Sequence, residues 1–273
     1  MNYSQISIPL TPSVDPDILI ALLSDLGVEG FEETSDQLLG FIRQDLLDET
    51  ALSNLLTPLS ATFTLTPIAD RNWNEEWEKN FDPVIVEDFC AIRAHFHAPI
   101  PGIKYELLIT PKMSFGTGHH ATTYMMMQAI QHLDFTGRRV LDFGTGTGVL
   151  AILAEKLGAT DILAIDNDDW SIENARENVA NNHCTAITVT RIDTIPQTSP
   201  FDIILANINK NVILQQLTAI GQQLTKGGVI LLSGLLQDDF EDIEKEVIRI
   251  NYSISGRMTK GNWICLKVEK EDK

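Results

Sequence analysis

The sequence predicts an α/β protein: a doubly wound, Rossmann-like sheet of seven strands, preceded by a small ferredoxin-like α+β domain. Three observations carry that prediction. First, Val140-Leu141-Asp142-Phe143-Gly144-Thr145-Gly146-Thr147-Gly148 reads as a buried strand running into a glycine turn, and Val149–Leu157 as the helix that follows. Glycine suits such a turn because, lacking a Cβ, it enters left-handed dihedrals and lets a ligand come close to the backbone. The helix behind the turn presents free N–H groups and a partial positive charge. Second, strand and helix patterns alternate from there to the end of the chain, as in a parallel sheet covered on both faces. Third, residues 1–68 read β-α-β-β-α-β, the ferredoxin-like order.

At 273 residues the chain has room for one large domain or two. Hydrophobic residues make up 44% and charged residues 21%, an ordinary globular balance. No apolar run approaches the ~18 residues that span a bilayer. The first twenty residues hold no Lys or Arg and no signal-peptide pattern. No membrane is therefore expected, and the cytoplasm is the expected location. Cys90, Cys184 and Cys265 lie far apart and match no metal spacing, so they read as buried free thiols in a reducing compartment.

The 38 acids outweigh 20 Lys and Arg, a net charge of −18. Such a surface disfavours direct nucleic-acid binding, which needs cations against phosphates. It suits a strongly basic protein partner, although solubility is also served by it. The acids crowd the start of the chain: residues 1–70 hold eleven, against Arg43 as the only base.

Taken in order, Tyr3–Leu10 alternates as a strand. Asp15-Pro16 gives an N-cap and first-turn proline to a helix over Asp17–Leu26, which Gly27 stops. Gly30–Thr34 and Leu38–Arg43 form a hairpin, Leu46–Leu56 a second helix closed near Pro58, and Ala61–Pro67 a fourth strand. This module, residues 1–68, has no glycine loop or reactive cluster and reads as a substrate-recognition domain. Residues 69–82 are the linker, with a helix over Arg71–Phe81 that puts Trp73 and Trp77 on one face.

Residues 83–273 make the second domain. Val84–Val86, Ala91–Phe96 and Tyr105–Ile109 are short strands. Ser114–Thr123 leads into a helix that ends before Gly137. The threonines at that N-terminus serve either as caps or, with backbone amides, to hold a carboxylate. Adjacent His119 and His120 have no third metal ligand at useful spacing, so no metal is expected. Beyond the glycine turn come a strand at Asp161–Asp166, a helix at Asp169–Asn182, and strands at Ala186–Arg191 and Phe201–Asn207. A helix at Val212–Leu224, a strand at Gly227–Ser233 after a Gly-Gly turn, a helix at Asp239–Arg249, and a closing pair at Tyr252–Arg257 and Trp263–Val268 complete the domain. Ligands of such sheets bind at the carboxyl ends of the strands. Gly144, Asp166 and Asn207 all fall there.

The glycine spacing separates two chemistries. The dinucleotide fingerprint is G-x-G-x-x-G, whereas Gly144-x-Gly146-x-Gly148 brings its third glycine one residue early, so no pyrophosphate cradle is expected. Asp166, ending the next strand, is placed to accept two hydrogen bonds from ribose hydroxyls. The shorter spacing resembles motif I of class I S-adenosylmethionine-dependent methyltransferases. Together, Phe115-Gly116-Thr117-Gly118-His119-His120-Ala121-Thr122-Thr123, Asp142–Gly148 and Ala206-Asn207-Ile208 resemble the bacterial ribosomal protein methyltransferase family PrmA. The likeness covers nearly the whole chain, including Asn72–Trp77 and Gly261-Asn262-Trp263.

That resemblance implies trimethylation of amino groups on a basic substrate, free large-subunit ribosomal protein eleven, with S-adenosyl-L-methionine as cofactor. It implies cofactor contacts from Thr123, Gly144, Asp166 and Asn207, with Asn207 also the catalytic residue. It implies further that the N-terminal domain recognises the substrate and the linker lets it reorient. The chain departs from the family's usual Gly-Thr-Gly-Thr-His-Pro-Thr-Thr at His119 and Ala121, and its Ile208-Asn209-Lys210 is more polar than the usual Ile-Leu-Ala.

No general base stands out, His119 and His120 being weak candidates, so the substrate proton is expected to leave to water while Asn207 orients the amine. A nucleic-acid N-methyltransferase is the nearest rival. It carries Asn-Pro-Pro-aromatic, and Asn207-Ile208-Asn209-Lys210 lacks that stacking platform. The same residues also suit a methyltransferase of a different basic protein or of a small molecule, and the acidic surface alone suits a non-catalytic binding module. A monomer is expected.

Overall fold

Along β1 (Tyr3–Pro9) and β3 (Gln37–Arg43) buried side chains alternate with more exposed ones, because successive side chains of a strand point to opposite faces. The computed structural model describes residues 3–10, 16–34, 36–59, 61–68, 82–110 and 116–270. It divides into two units, Met1–Phe81 and Asp82–Lys273. In the first, the inward set Ile6, Ile8, Leu38 and Ile42 meets Leu19 and Leu23 of α1 (Pro16–Asp25) and Leu52 and Leu56 of α2 (Glu49–Leu56). The strand order is β2 (Gly30–Glu33), β3, β1, β4 (Thr64–Ile68), all neighbours antiparallel. This is the ferredoxin-like arrangement expected from the order of elements.

Two boundaries differ from expectation. α2 starts at Glu49 rather than Leu46, because the Asp48 carboxylate accepts the N–H groups of Thr50 and Ala51 at 2.9 and 3.0 Å. β4 starts at Thr64 rather than Ala61, whose N–H instead donates to the Leu56 carbonyl behind the helix. The Asp15 cap, the helix over residues 71–81 with Trp73 and Trp77, and Ser114-Phe115 lie outside the described residues.

The second unit is built on a seven-stranded sheet. Its order is β10 (Ile187–Arg191), β9 (Asp161–Asp166), β8 (Arg139–Phe143), β11 (Phe201–Asn207), β12 (Leu224–Leu236), β14 (Trp263–Lys270), β13 (Tyr252–Lys260). The first five run parallel and β14 is antiparallel to both its neighbours. Along β11 the side chains divide between two cores: Ile203 and Leu205 join one, Ile204 and Ala206 the other. A strand covered on both faces therefore reads as an unbroken apolar run. From β8 the chain moves outward to β9 and β10, then returns to lay β11 on the other side. That reversal opens a crevice at the carboxyl ends of β8 and β11.

Helices α3 (Ala121–Ile130), α4 (Val149–Lys156), α5 (Asp169–Asn181), α6 (Lys210–Gln222) and α7 (Phe240–Arg249) pack about this sheet. α6 begins two residues before the expected Val212 because the Asn209 carboxamide caps it, accepting from the Val212 N–H at 3.1 Å. β12 begins earlier than expected, at Leu224, which pairs with Phe201, but the chain does bend at Gly227-Gly228. Gly227 is left-handed at φ 75°, and the pairing jumps from Leu224–Phe201 to Val229–Ile203, so that extra residues loop out of the ladder. A Cβ on Gly228 would lie 2.8 Å from the Asp202 carbonyl, so Gly227 serves the bend and Gly228 the close strand approach.

A small sheet of β5 (Val84–Val86), β6 (Cys90–Arg93) and β7 (Tyr105–Leu108) precedes α3. Asn182 fastens it by exchanging two hydrogen bonds with the Leu108 backbone, at 2.9 and 2.7 Å. The cysteines are unbridged; Cys90 and Cys265 are buried, but Cys184 is only partly so, at the turn after α5. No helix among the described residues is long and apolar enough to cross a membrane.

Candidate active site

The glycine turn between β8 and α4 is left-handed at Gly144, Gly146 and Gly148, with φ of 75°, 54° and 80°. The N–H groups of Gly144 and Thr145 both donate to the Ile165 carbonyl at 2.9 Å, fastening the turn to β9. At Gly144 space is as demanding as dihedral: an added Cβ would lie 2.2 Å from Ile208 Cγ2. One oxygen of Asp166 accepts the Gly146 N–H at 2.9 Å and the other the Asp168 N–H at 3.1 Å. Two backbone donors thus fix the carboxylate at the end of β9. The far side of the turn is tied down as well. The Thr147 hydroxyl donates to the Gly116 carbonyl at 2.7 Å, and fully buried Asn178 donates to the Thr147 carbonyl at 2.9 Å while accepting the Thr110 N–H at 2.8 Å.

Beneath the turn, Asp142 is 1% exposed. One of its oxygens accepts the Thr145 hydroxyl at 2.6 Å and the Ala151 N–H at 3.2 Å. Burial pushes the carboxyl from its ordinary 3.8 up to about 6, against the pull of those two hydrogen bonds. Its other oxygen is buried with no partner among the described residues.

Asn207 ends β11, almost fully buried. Its amide nitrogen donates to the Thr123 hydroxyl oxygen at 3.3 Å, and its Oδ1 has no partner among the described residues. A buried acceptor left empty demands an explanation, and a bound ligand is one. Thr123 lies on the first turn of α3, which His120 caps by accepting the Thr122 N–H at Nδ1, 3.4 Å away. The Thr122 hydroxyl is 2.7 Å from the same nitrogen, and the ring stands edge-on to Trp263 with centroids 4.6 Å apart. His119 Nε2 lies 2.9 Å from the Asp82 carbonyl oxygen, and its Nδ1 3.2 Å from the Thr117 hydroxyl. Both histidines are engaged in shaping the loop. No group of three metal-ligating side chains occurs among the described residues.

Gly144, Asp166 and Asn207 come together in one cleft of about 600 Å³ at the carboxyl ends of β8, β9 and β11. Thr123 stands directly behind Asn207. The cleft is also lined by Phe143 and Trp263, which the sequence offered only as parts of motifs, and by Asp193, Gln215, Gln216 and Gly234, which it did not mark. Asp193 follows β10 much as Asp166 closes β9, a signal the strand-end rule could have used. Gly234 follows the expected strand Gly227–Ser233 and answers to the same rule, whereas Trp263 opens the antiparallel β14 and carries no such signal.

A family model described as ribosomal protein L11 methyltransferase (PrmA) matches residues 23–271. A ribosomal protein L11 methyltransferase of Phocaeicola vulgatus is 37% identical, over 98% of this chain and 99% of the relative. One from Porphyromonas gingivalis is 40% identical, over 94% and 92%. Among solved structures, a ribosomal protein L11 methylase from Lactobacillus delbrueckii subsp. bulgaricus superposes with a TM-score of 0.66 at 28% identity, covering 70% of this chain and all (100%) of that one.

Proposed function

The chain belongs to the ribosomal protein L11 methyltransferase family, and from that premise we propose how its cleft works. It is an S-adenosylmethionine-dependent enzyme that methylates a protein. We assign residues 83–273 to cofactor binding and transfer, residues 1–68 to substrate recognition and residues 69–82 to the linker. The substrate is free ribosomal protein L11, a basic protein suited to a chain of net charge −18. No nucleic acid need be bound, and the enzyme works as a monomer.

The residues present fit the cofactor. Asp166, held by two backbone amides, lines the cleft with acceptor oxygens for ribose hydroxyls, and Gly144 lines it too, its missing Cβ making room for Ile208. The Thr123 hydroxyl, buried behind the wall, accepts from Asn207 and sets that side chain, so its expected part in cofactor binding is exerted through Asn207, while the neighbouring Thr122 lines the cleft itself. When bound, the cofactor supplies an electrophilic methyl group on a sulfonium.

The single observation that carries the catalytic assignment is the empty Oδ1 of Asn207, buried at the cleft wall while its amide nitrogen is fixed by Thr123. That oxygen accepts one N–H of the incoming amine and so turns the nitrogen lone pair toward the methyl group. In-line displacement then depends on positioning, which supplies much of the acceleration. The amine must be neutral, whereas a free lysine, with a pKa of ~10.4, is charged at pH 7. A partly dry cleft lowers that value. With both histidines engaged in the loop, the proton leaves to water.

The test is mass spectrometry of ribosomal protein L11 incubated with labelled S-adenosylmethionine and either the native enzyme or Asn207→Ala. Native enzyme adds methyl groups in sets of three on amines. Asn207→Ala, measured at saturating cofactor because Asn207 is also a cofactor contact, lowers transfer by about 10²–10³-fold, the scale of losing one pre-set polar contact to the reacting centre. Transfer within a few-fold of native would remove Asn207 from the mechanism.

A further inference from the structure

We propose that Lys210 is a positioning residue for methyl transfer, its ion pairs to Asp239 and Asp242 clamping the cleft wall that carries Asn207. The proposal rests on the assignment of Asn207 given above.

The segment after Asn207 is wedged between two glycines. A Cβ on Gly144 would lie 2.2 Å from Ile208 Cγ2, and one on Gly234 2.2 Å from the Ile208 carbonyl oxygen. Both glycines have positive φ, 75° and 81°, so each provides a left-handed bend and the room into which Ile208 fits. The Ile208 N–H donates to the Ser233 carbonyl at 3.2 Å. Ile208 is thereby seated on two sides, but Asn209 beside it is exposed. Its carboxamide caps α6, and what joins that helix start back to β12 is ionic.

Lys210 Nζ lies 2.7 Å from an Asp242 oxygen and 3.1 Å from an Asp239 oxygen. The second Asp239 oxygen accepts the Leu236 N–H at 2.8 Å. The clamp therefore joins the first residue of α6 to the end of β12, two residues beyond Gly234. Asn207 lies three residues ahead of Lys210 and pairs with Ser233, three residues ahead of Leu236, so both joined segments lead directly from it. Hydrogen bonds to Asp242 and Asp239 hold the Lys210 ammonium above its ordinary pKa, and Lys210 holds Asp242 below its own, so the clamp stays charged through neutral pH. A partly exposed ion pair adds little to global stability. A displacement of about 1 Å at a reacting centre, in contrast, costs on the order of 10²-fold in rate. The clamp's consequence is expected in turnover rather than in folding.

The test compares full-length Lys210→Met, Lys210→Arg, Asp242→Asn and Asn207→Ala for kcat and KM on ribosomal protein L11, S-adenosylmethionine Kd by calorimetry, and Tm. Lys210→Met is expected to lower kcat about tenfold or more while KM and cofactor Kd stay within about twofold, and Lys210→Arg restores kcat to within about twofold of native. Asp242→Asn shifts kcat in the same direction, and combined with Lys210→Met adds less than its separate effect. The clamp is overturned if Lys210→Met leaves kcat within about twofold of native. It is also overturned if kcat, cofactor affinity and Tm fall together without rescue by Arg, the pattern of plain structural loss. Asn207→Ala separates the two ideas: full activity there defeats the Asn207 assignment, whereas loss there with Lys210→Met unaffected defeats the clamp alone.

Discussion

Replacing Gly144 with Ala, set against Gly137→Ala, isolates what the glycine turn does for the cleft. Both positions are left-handed, with φ of 75° and 67°. An L-residue in that region costs about 1–2 kcal/mol, partly offset by about 0.4–1 kcal/mol from a stiffer unfolded chain. Gly137→Ala meets nothing within 4 Å and bears only that net cost. At Gly144 the new methyl lies 2.2 Å from Ile208 Cγ2. Ile208 cannot retreat freely, because its own backbone fills the space beside Gly234. Forcing a methyl into such packing costs about 1–3 kcal/mol more. At roughly 2–4 °C per kcal/mol for a domain of this size, Gly144→Ala should melt about 2–12 °C below Gly137→Ala in scanning calorimetry. Titration calorimetry should show S-adenosylmethionine binding weakened about tenfold or more in Gly144→Ala alone, since about 1.4 kcal/mol of lost contact suffices. Equal melting temperatures together with equal cofactor affinities would refute the reasoning.

Two further outcomes follow from buried polar groups. Asp142 protonates near 6 when folded and near 3.8 when unfolded, so the proton favours the fold: this contribution is fully present below 3.8 and is lost as pH rises through about 6. The difference amounts to about 3 kcal/mol, and Asp142→Asn, which cannot ionise, should gain in melting temperature over the native chain between pH 4 and pH 7. A pH-independent difference would count against a buried, ionising Asp142. Asn178→Ala strips the partners from the Thr110 N–H and the Thr147 carbonyl. At about 1–3 kcal/mol for each unpaired group, denaturant titration should give a loss of about 2–6 kcal/mol along with weaker cofactor binding. A loss under about 1 kcal/mol would mean that water or a neighbour replaces both bonds.

What the sequence by itself determined is local chemistry. Glycines at 144, 146 and 148 announce a left-handed turn because few other residues tolerate those dihedrals. Phe201–Asn207 was legible to the residue because its centre, Ile203–Ala206, is buried on both faces and therefore reads as an unbroken apolar run. The alternation of such strands with helices carries Gly144, Asp166 and Asn207 to one edge, since parallel strands end on the same side of a sheet. Boundaries were lost where a side chain outvoted the apolar pattern: Asp48 and Asn209 begin their helices by capping, whatever Leu46 or Val212 suggest. Gly227-Gly228 marked a real bend, with Gly227 left-handed, but not the start of β12, because Leu224 ahead of it already pairs with Phe201. Only the tertiary structure decided that Ile208 is wedged between Gly144 and Gly234, that Trp263 stands against His120, and that Lys210 finds Asp239 and Asp242. A dihedral preference or a cap acts within a few residues and is written in any short window. Packing and ion pairs join residues whose separation in space is set by the order of strands in the sheet, and no window of sequence contains that distance.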